Sequence, residues 1–235
     1  MALQLDTKFY QASTSELFGG LQDTVPQSEQ TPFYPKSPYA AAKIYVYWVT
    51  VNYREAYGMF ASNGILFNHE SSRRGKTFVT KKVSKAVANI YHGNTRALSI
   101  GNLDAKRDWG YAKDYVQMMW LMLQSSSPSD YVAARGKAYT VRQFIKLAFV
   151  RVNMEIDWEG SGEKEIGIDK KTGLILVKVD PKYYRPTEVD HLLGDPSKAF
   201  KDLGWVAKTS LPELVNIMVD YDLKFLDYGH DFDGL

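Results

Sequence analysis

Thr14, Ser15 and Glu16 close a short apolar segment, and Tyr39 and Lys43 follow in the spacing Y-x-x-x-K. Together they offer a hydroxyl, a carboxylate, a phenol and an ammonium. A free phenol has a pKa of about 10 and is a poor base at neutral pH. An ammonium one helical turn away favours the phenolate and lowers that pKa, each unit corresponding to about 1.4 kcal/mol of differential stabilisation. A tyrosine activated in this way can take the proton of a sugar alcohol as it is oxidised. A carboxylate beside it can then remove the proton next to the new carbonyl, so that water leaves. Singly, these residues say less: Y-x-x-x-K alone marks a helix with a solvated lysine, and Ser-Thr-Ser at a strand end marks a turn or cap. Their order is more telling: a strand with a Ser/Thr end, a proline-rich loop, then Y-x-x-x-K at a helix start.

The elements that must position these groups are legible in outline. Lys8 to Ser13 reads as a short buried strand, and Gly19 to Pro38, with four prolines, as a loop. Pro38 suits the first turn of a helix over about 39–57, with Tyr39 and Lys43 on one face and Gly58 at its end. A second strand is expected over 60–68, ending in Asn68, His69 and Glu70. Helices are expected over 78–91, 109–124, 140–152 (Thr140 as N-cap), 196–203 and 211–226. Short strands are expected at 97–100, 131–134, 156–158 and 174–179. Strands alternating with helices indicate an α/β sandwich with a mainly parallel sheet. In such a sheet, ligands sit beyond the carboxyl ends of the strands. The aromatic and Met-rich stretch from Trp109 to Trp120 reads as core.

Composition narrows the classes. A chain of 235 residues with 45% hydrophobic and 14% aromatic content can bury a core. A net charge of +2, from 29 basic against 27 acidic residues, argues against a nucleic-acid footprint. Cysteine is absent, excluding disulfides and thiolate metal sites, and no metal is expected. No run approaches the ~18 apolar residues of a membrane span, and no secretory signal is read at Met1 to Asp6, so a soluble cytoplasmic protein is expected.

On the Ser/Thr, Tyr and Lys in this order, the chain resembles the extended short-chain dehydrogenase/reductase family. Most sugar-nucleotide epimerases of that family have no carboxylate after the Ser/Thr, whereas 4,6-dehydratases place one there, as Glu16 is here. Longer segments resemble the GDP-mannose 4,6-dehydratases within it: 9–19 (Phe-Tyr-Gln-Ala-Ser-Thr-Ser-Glu-Leu-Phe-Gly), 63–71 (Asn-Gly-Ile-Leu-Phe-Asn-His-Glu-Ser), 101–110 (Gly-Asn-Leu-Asp-Ala-Lys-Arg-Asp-Trp-Gly) and 184–190 (Tyr-Arg-Pro-Thr-Glu-Val-Asp). Two departures stand out. Ser72 replaces the family's usual proline before Arg73 and Arg74. The family's opening strand and G-x-x-G-x-x-G turn, whose backbone donors hold a pyrophosphate, have no counterpart; Gly160-Ser161-Gly162 reads as a turn.

The resemblance implies the remnant of a doubly wound Rossmann-type parallel sheet with an interleaved smaller α/β substrate domain. Residues 1–74 would form the C-terminal part of the NADP-binding domain. Residues 75–235 would mainly bind the nucleotide sugar, with about 108–134 returning to the first domain. It implies NADP as cofactor and GDP-mannose as substrate, converted to its 4-keto-6-deoxy product. Tyr39 would act as base, Lys43 would activate it and bond the nicotinamide ribose, Thr14 would bond the 4-oxygen, and Glu16 would remove the proton at carbon 5. Leu66, Asn68, His69 and Arg74 would join Tyr39 and Lys43 around the cofactor. Asn68, Lys82, Asn102, Arg107, Arg185 and Glu188 match positions near the GDP moiety. Plainer roles compete: Arg107-Asp108 as an ion pair at a helix start, Lys81-Lys82 as a solvated face, His69 as a structural hydrogen-bonder, Arg73-Arg74 as a surface loop. Family members assemble into dimers or tetramers, so a homo-oligomer is expected. The alternatives are an epimerase or reductase of the same fold, or a catalytically silent GDP-sugar-binding or assembly fragment.

Overall fold

The computed structural model describes residues 7–183 and 192–227. Arg185 and Glu188, with the matched segment 184–190, lie outside them. In chain order the elements are β1 (Phe9–Thr14), α1 (Pro38–Tyr57), β2 (Ala61–Leu66), β3 (Asn68–Glu70), α2 (Val79–Tyr91), β4 (Leu98–Ile100), β5 (Lys106–Tyr111), α3 (Ala112–Gln124), β6 (Tyr131–Ala133), β7 (Ala138–Thr140), α4 (Val141–Val150), β8 (Ile156–Glu159), β9 (Ile166–Asp169), β10 (Ile175–Val179), α5 (Ser197–Leu203) and α6 (Leu211–Asp227). They form two compact units. The first takes described residues from 1–69, 106–138 and 189–209, the second from 70–105, 139–188 and 210–235.

In the first unit, β1, β2 and β6 form a parallel sheet in the order β1-β2-β6. Its register pairs Thr14 with Leu66 and Leu66 with Ala133. All of β2 is buried, as expected of a parallel strand covered on both faces. The strand period of two separates its side chains. Ile65 and Phe67 pack with Leu17, Phe18, Tyr47 and Val51, while Leu66 packs with Tyr115, Met118, Met122 and Trp205. Local signals set α1. The Ser37 hydroxyl accepts the Ala40 N–H at 3.1 Å, Pro38 fills the first turn, and Gly58 ends the helix at φ 63°, a conformation glycine adopts without strain.

In the second unit, the sheet order is β4-β10-β9-β8, with β4 and β10 parallel and the remaining pairs antiparallel. Helices α2, α4 and α6 pack together. Thr140 and Gln143 form a reciprocal capping box at the start of α4.

Several expectations are corrected. Asn68, His69 and Glu70 do not extend β2: Phe67 gives its N–H to Ala133 at 2.9 Å, and the chain then enters β3. Trp109 to Tyr111 are strand, because aromatic residues suit a pleated surface and the helix starts at Ala112. Arg107 and Asp108 therefore lie in a strand and not at a helix start. The Trp109–Trp120 stretch is not all core: Trp109, Met118 and Met122 are buried, but Trp120 is 60% exposed. Two residues from Met118, it lies off the packed face. Nor is Lys81 solvated. It is 8% exposed, with its ammonium on the Asp222 carboxylate and on the Ser72 carbonyl at 2.9 Å. Among the described residues, no helix is long and apolar enough to cross a membrane.

Candidate active site

The site is built at the carboxyl end of β1. Thr14 is extended, at φ −147°, and its Oγ1 accepts the Glu16 N–H at 3.3 Å. This caps a tight 3-10 turn, Ser15–Phe18, which ends at Gly19 with φ 67°. A Cβ on Gly19 would stand 2.0 Å from the Tyr34 carbonyl oxygen, and the Tyr34 N–H donates to Leu17 at 2.7 Å. Glycine is therefore required for the loop to close over the turn. Ser15, Leu17 and Phe18 point into the core, and Glu16 is left half-buried. Behind it, the Ser13 hydroxyl is buried and has no hydrogen-bond partner among the described residues.

Helix α1 delivers the other half. The Lys43 ammonium donates to the Ala12 carbonyl at 2.9 Å, tying the helix to β1, and lies 5.8 Å from the Tyr39 ring centroid. The Tyr39 ring is 54% exposed. Lysine and tyrosine thus share a helix face beside the strand that ends in Thr14. No direct hydrogen bond joins Glu16, Tyr39 and Lys43 among the described residues. Their convergence is one of placement.

The expected cofactor residues divide between the units. Leu66 is buried at the end of β2, level with Thr14. Asn68 and His69 follow, both half-buried. The His69 Nδ1 lies 2.9 Å from the Phe67 carbonyl oxygen, so it must carry a proton, and Nε2 is the nitrogen left over. The His69 ring stacks on Tyr115 at 5.4 Å. Arg74 belongs to the second unit. Its guanidinium pairs with Glu70 at 3.0 Å and lies 3.5 Å over the Phe78 ring, so it has partners within its own loop.

Of the expected substrate residues, Arg107 is half-buried on β5 and bonds the Lys106 carbonyl at 2.8 Å. In the second unit, Lys82 sits 3.2 Å over the Tyr183 ring, and Asn102 lies in the loop after β4.

Two acids, Asp108 buried and Asp130 half-buried, take roles that the sequence reading did not assign to them. Asp108 accepts the N–H groups of Arg135 and Gly136, both at 2.9 Å, and burial pushes its pKa up to about 6 against the pull of those donors. Its signal was an acid between Arg107 and Trp109 in a strand. Asp130 accepts from Arg54, Tyr47 and Asn63; a lone acid after a serine-rich loop carries no such signal.

A sequence model of the family described as GDP-mannose 4,6 dehydratase matches residues 1–218. The chain is 57% identical over 219 residues to a human protein named GDP-mannose 4,6 dehydratase, covering 93% of this chain and 59% of that protein. It is 54% identical to the Drosophila melanogaster protein of that name, covering 95% and 56%, and 58% identical to that of Sinorhizobium fredii, covering 94% and 62%. The chain thus spans about three-fifths of the length of these relatives. Among solved structures, RMD from Pseudomonas aeruginosa complexed with NADPH superposes with a TM-score of 0.78 at 16% identity, over 92% of this chain and 66% of that one. The dTDP-glucose 4,6-dehydratase of Bacillus anthracis in complex with NAD gives 0.74 at 17%, over 94% and 63%. At these identities the two structures speak for the Rossmann-type fold alone.

Proposed function

This chain belongs to the GDP-mannose 4,6-dehydratase family, and on that premise we propose that it carries the catalytic part of an enzyme converting GDP-mannose to GDP-4-keto-6-deoxymannose. The observation that carries this reading is the Thr14–Glu16 turn beside Lys43 and Tyr39. A hydroxyl and a carboxylate leave one strand end while a phenol and an ammonium share a face of the neighbouring helix.

The residues fit the nicotinamide end of a dinucleotide. The carboxyl ends of β1 and β2 lie level, and the buried Ser13 hydroxyl lacks a partner there among the described residues. We assign NADP to this place, with Tyr39, Lys43, Leu66, Asn68, His69 and Arg74 as its contacts. When bound, it would supply the acceptor for hydride from carbon 4 and the donor for carbon 6. Tyr39 takes the proton of the 4-hydroxyl, and the Lys43 ammonium stabilises the phenolate. Thr14 donates to the 4-oxygen as it becomes a carbonyl. Glu16 then takes the proton from carbon 5, which that carbonyl has acidified, and gives it to the 6-hydroxyl, which departs as water; the proton held by Tyr39 is then available to carbon 5. Lys82, Asn102, Arg107, Arg185 and Glu188 are assigned, with Asn68, to the GDP moiety. The arginines suit a pyrophosphate through their planar forks.

The test is Glu16→Gln in a chain joined to the remaining length of its relatives, with products followed by NMR. Loss of the 4-keto-6-deoxy sugar is expected, and its release at the parent rate would refute the role of Glu16. The 235 residues contain no G-x-x-G-x-x-G, which favours a second reading: this chain alone is a GDP-sugar-binding piece without activity. Calorimetric titration with NADP separates the two, tight binding counting against the second. Helix α1 exposes Tyr45, Trp48, Val49 and Tyr53, an apolar row that supports assembly with a second copy. Sedimentation at rising concentration tests it.

A further inference from the structure

Arg73 and Arg74 stand on a turn that is held from two sides. The Arg74 N–H donates to the Ser71 carbonyl at 3.0 Å, closing Ser71 to Arg74 into a β-turn with Ser72 and Arg73 at its centre. The peptide between those two central residues has both ends occupied. Its N–H, from Arg73, donates to Ser71 Oγ at 3.2 Å, and its carbonyl, from Ser72, accepts the Lys81 ammonium at 2.9 Å. The Arg74 guanidinium leaves the turn to pair with the buried Glu70 carboxylate at 3.0 Å and to lie 3.5 Å over the Phe78 ring.

The bond from Lys81 comes from inside the second unit. Lys81 is buried on α2, with its ammonium against the Asp222 carboxylate of α6 and 5.1 Å over the Tyr221 ring. The other Asp222 oxygen accepts the Ser84 hydroxyl at 2.7 Å. Such a pair is a poor means of joining two helices, because both charges lose their water and apolar side chains of similar volume often serve as well or better. Helices α2 and α6 already bury Val83, Val87, Leu214 and Met218. What the pair adds is a cation held against one carbonyl of the turn.

The sequence of the turn supplies the reason. Position 72, the second residue of the turn, is where the family usually has proline, whose ring presets φ at about −65° and suits this place. Ser72 leaves that angle free, which raises the entropy that closing the turn must overcome. We infer that Lys81, steadied by Asp222, is a positioning residue for Arg73 and Arg74, its bond to the Ser72 carbonyl keeping their turn closed where proline would otherwise do so. For Arg74 the consequence rests on its assignment to NADP.

The Arg74 N–H closes the turn, so its hydrogen exchange, followed by NMR on the 235-residue chain, reports the turn directly. The variant is Lys81→Met with Asp222→Asn, which removes the tie without leaving a buried charge alone and keeps an acceptor for Ser84. Arg74 exchange is expected to quicken about tenfold, while the Val87 and Ala88 amides within α2 stay within about twofold of the parent's. Adding Ser72→Pro is expected to return the Arg74 rate to near the parent's. An unchanged Arg74 rate would overturn the inference. So would equal quickening at Val87 and Ala88, which marks a helix contact and nothing more, or quickening that Ser72→Pro leaves uncorrected.

NADP affinity of the chain joined to the remaining length of its relatives gives a second readout. The paired substitutions are expected to weaken NADP several-fold, with kcat at saturating cofactor near the parent's and Ser72→Pro restoring the affinity. Arg74→Gln separates the outcomes. If Arg74→Gln weakens NADP and the paired variant does not, the inference falls and the reading of Arg74 stands. If Arg74→Gln leaves NADP affinity unchanged, that reading falls, and the role of Lys81 toward the cofactor falls with it.

Discussion

The Arg54 guanidinium and the Asp130 carboxylate meet in a two-pronged pair, with both N–H···O distances at 2.8 Å. Asp130 also accepts the Asn63 backbone and side-chain N–H groups, each at 3.0 Å, and the Tyr47 hydroxyl at 3.0 Å. One carboxylate thereby joins α1 to β2 and to the segment leading into β6. These are the elements that carry Lys43, Tyr39 and Leu66.

Removing that carboxylate leaves the half-buried Arg54 guanidinium with only the Ala61 carbonyl, at 3.0 Å, and takes from the Asn63 backbone N–H its acceptor. Asp130→Ala is expected to cost about 3 kcal/mol, measured as a shift of the urea midpoint at constant slope. A loss below about 0.5 kcal/mol would show that the pair holds nothing in place.

The same group sets an acid limit. Burial pushes the Asp130 pKa up, but the Arg54 fork and the Asn63 donors outweigh it and hold the carboxylate below its usual range. A folded value below the unfolded ~3.9 means its contribution is complete above about pH 4 and lost as pH falls through the folded value. Asp130→Asn is expected to flatten the stability curve below about pH 4, while leaving the variant less stable than the parent at neutral pH.

Asp108 works in the opposite sense. Burial raises its pKa to about 6 despite three backbone donors, so the folded state binds the proton more tightly than the unfolded chain. Its contribution is complete below about pH 4 and is lost as pH rises through about 6. Asp108→Asn, which cannot ionise, is expected to remove a fall of about 3 kcal/mol over that window, read from urea titrations at pH 4, 5, 6 and 7.

Tyr10 offers a gain. Its hydroxyl is buried without a partner among the described residues, and it lies where a Cβ on Gly64 would be, 2.4 Å away. Tyr10→Phe deletes an unpaired polar atom and is expected to raise stability by up to about 1 kcal/mol. Loss of stability in that variant would reveal a bond that the hydroxyl makes.

Legibility in the sequence followed range. The start of α1 could be read from Ser37-Pro38 and its end from Gly58, because caps are local chemistry. Tyr39, Lys43, Thr14 and Glu16 were legible because the strand and helix that bear them are adjacent in the chain. The Arg54–Asp130 pair spans 76 residues, and no periodicity marks such a meeting. Strands β7 and β9 escaped because three or four residues carry too little pattern. Lys81 looked like a surface lysine because nothing nearby shows that Asp222 would reach it 141 residues later. Lys82 and Asn102 drew notice through family resemblance alone.

The loop residue Gln27 is buried, and its backbone and side chain hold Leu193, whose amide it engages at a separation of 166 residues. Together with α5 on β6, this means the first unit closes only with residues beyond 190. During synthesis on the ribosome the chain emerges from its N-terminus. The parallel strands and the Thr14 turn must therefore wait, uncapped, while more than a hundred further residues are added. The second unit's sheet emerges in that interval, so it gains its partners before the first unit is sealed. Chaperone dependence, measured as soluble yield from slowed against rapid translation, would then track the time taken to reach Leu193.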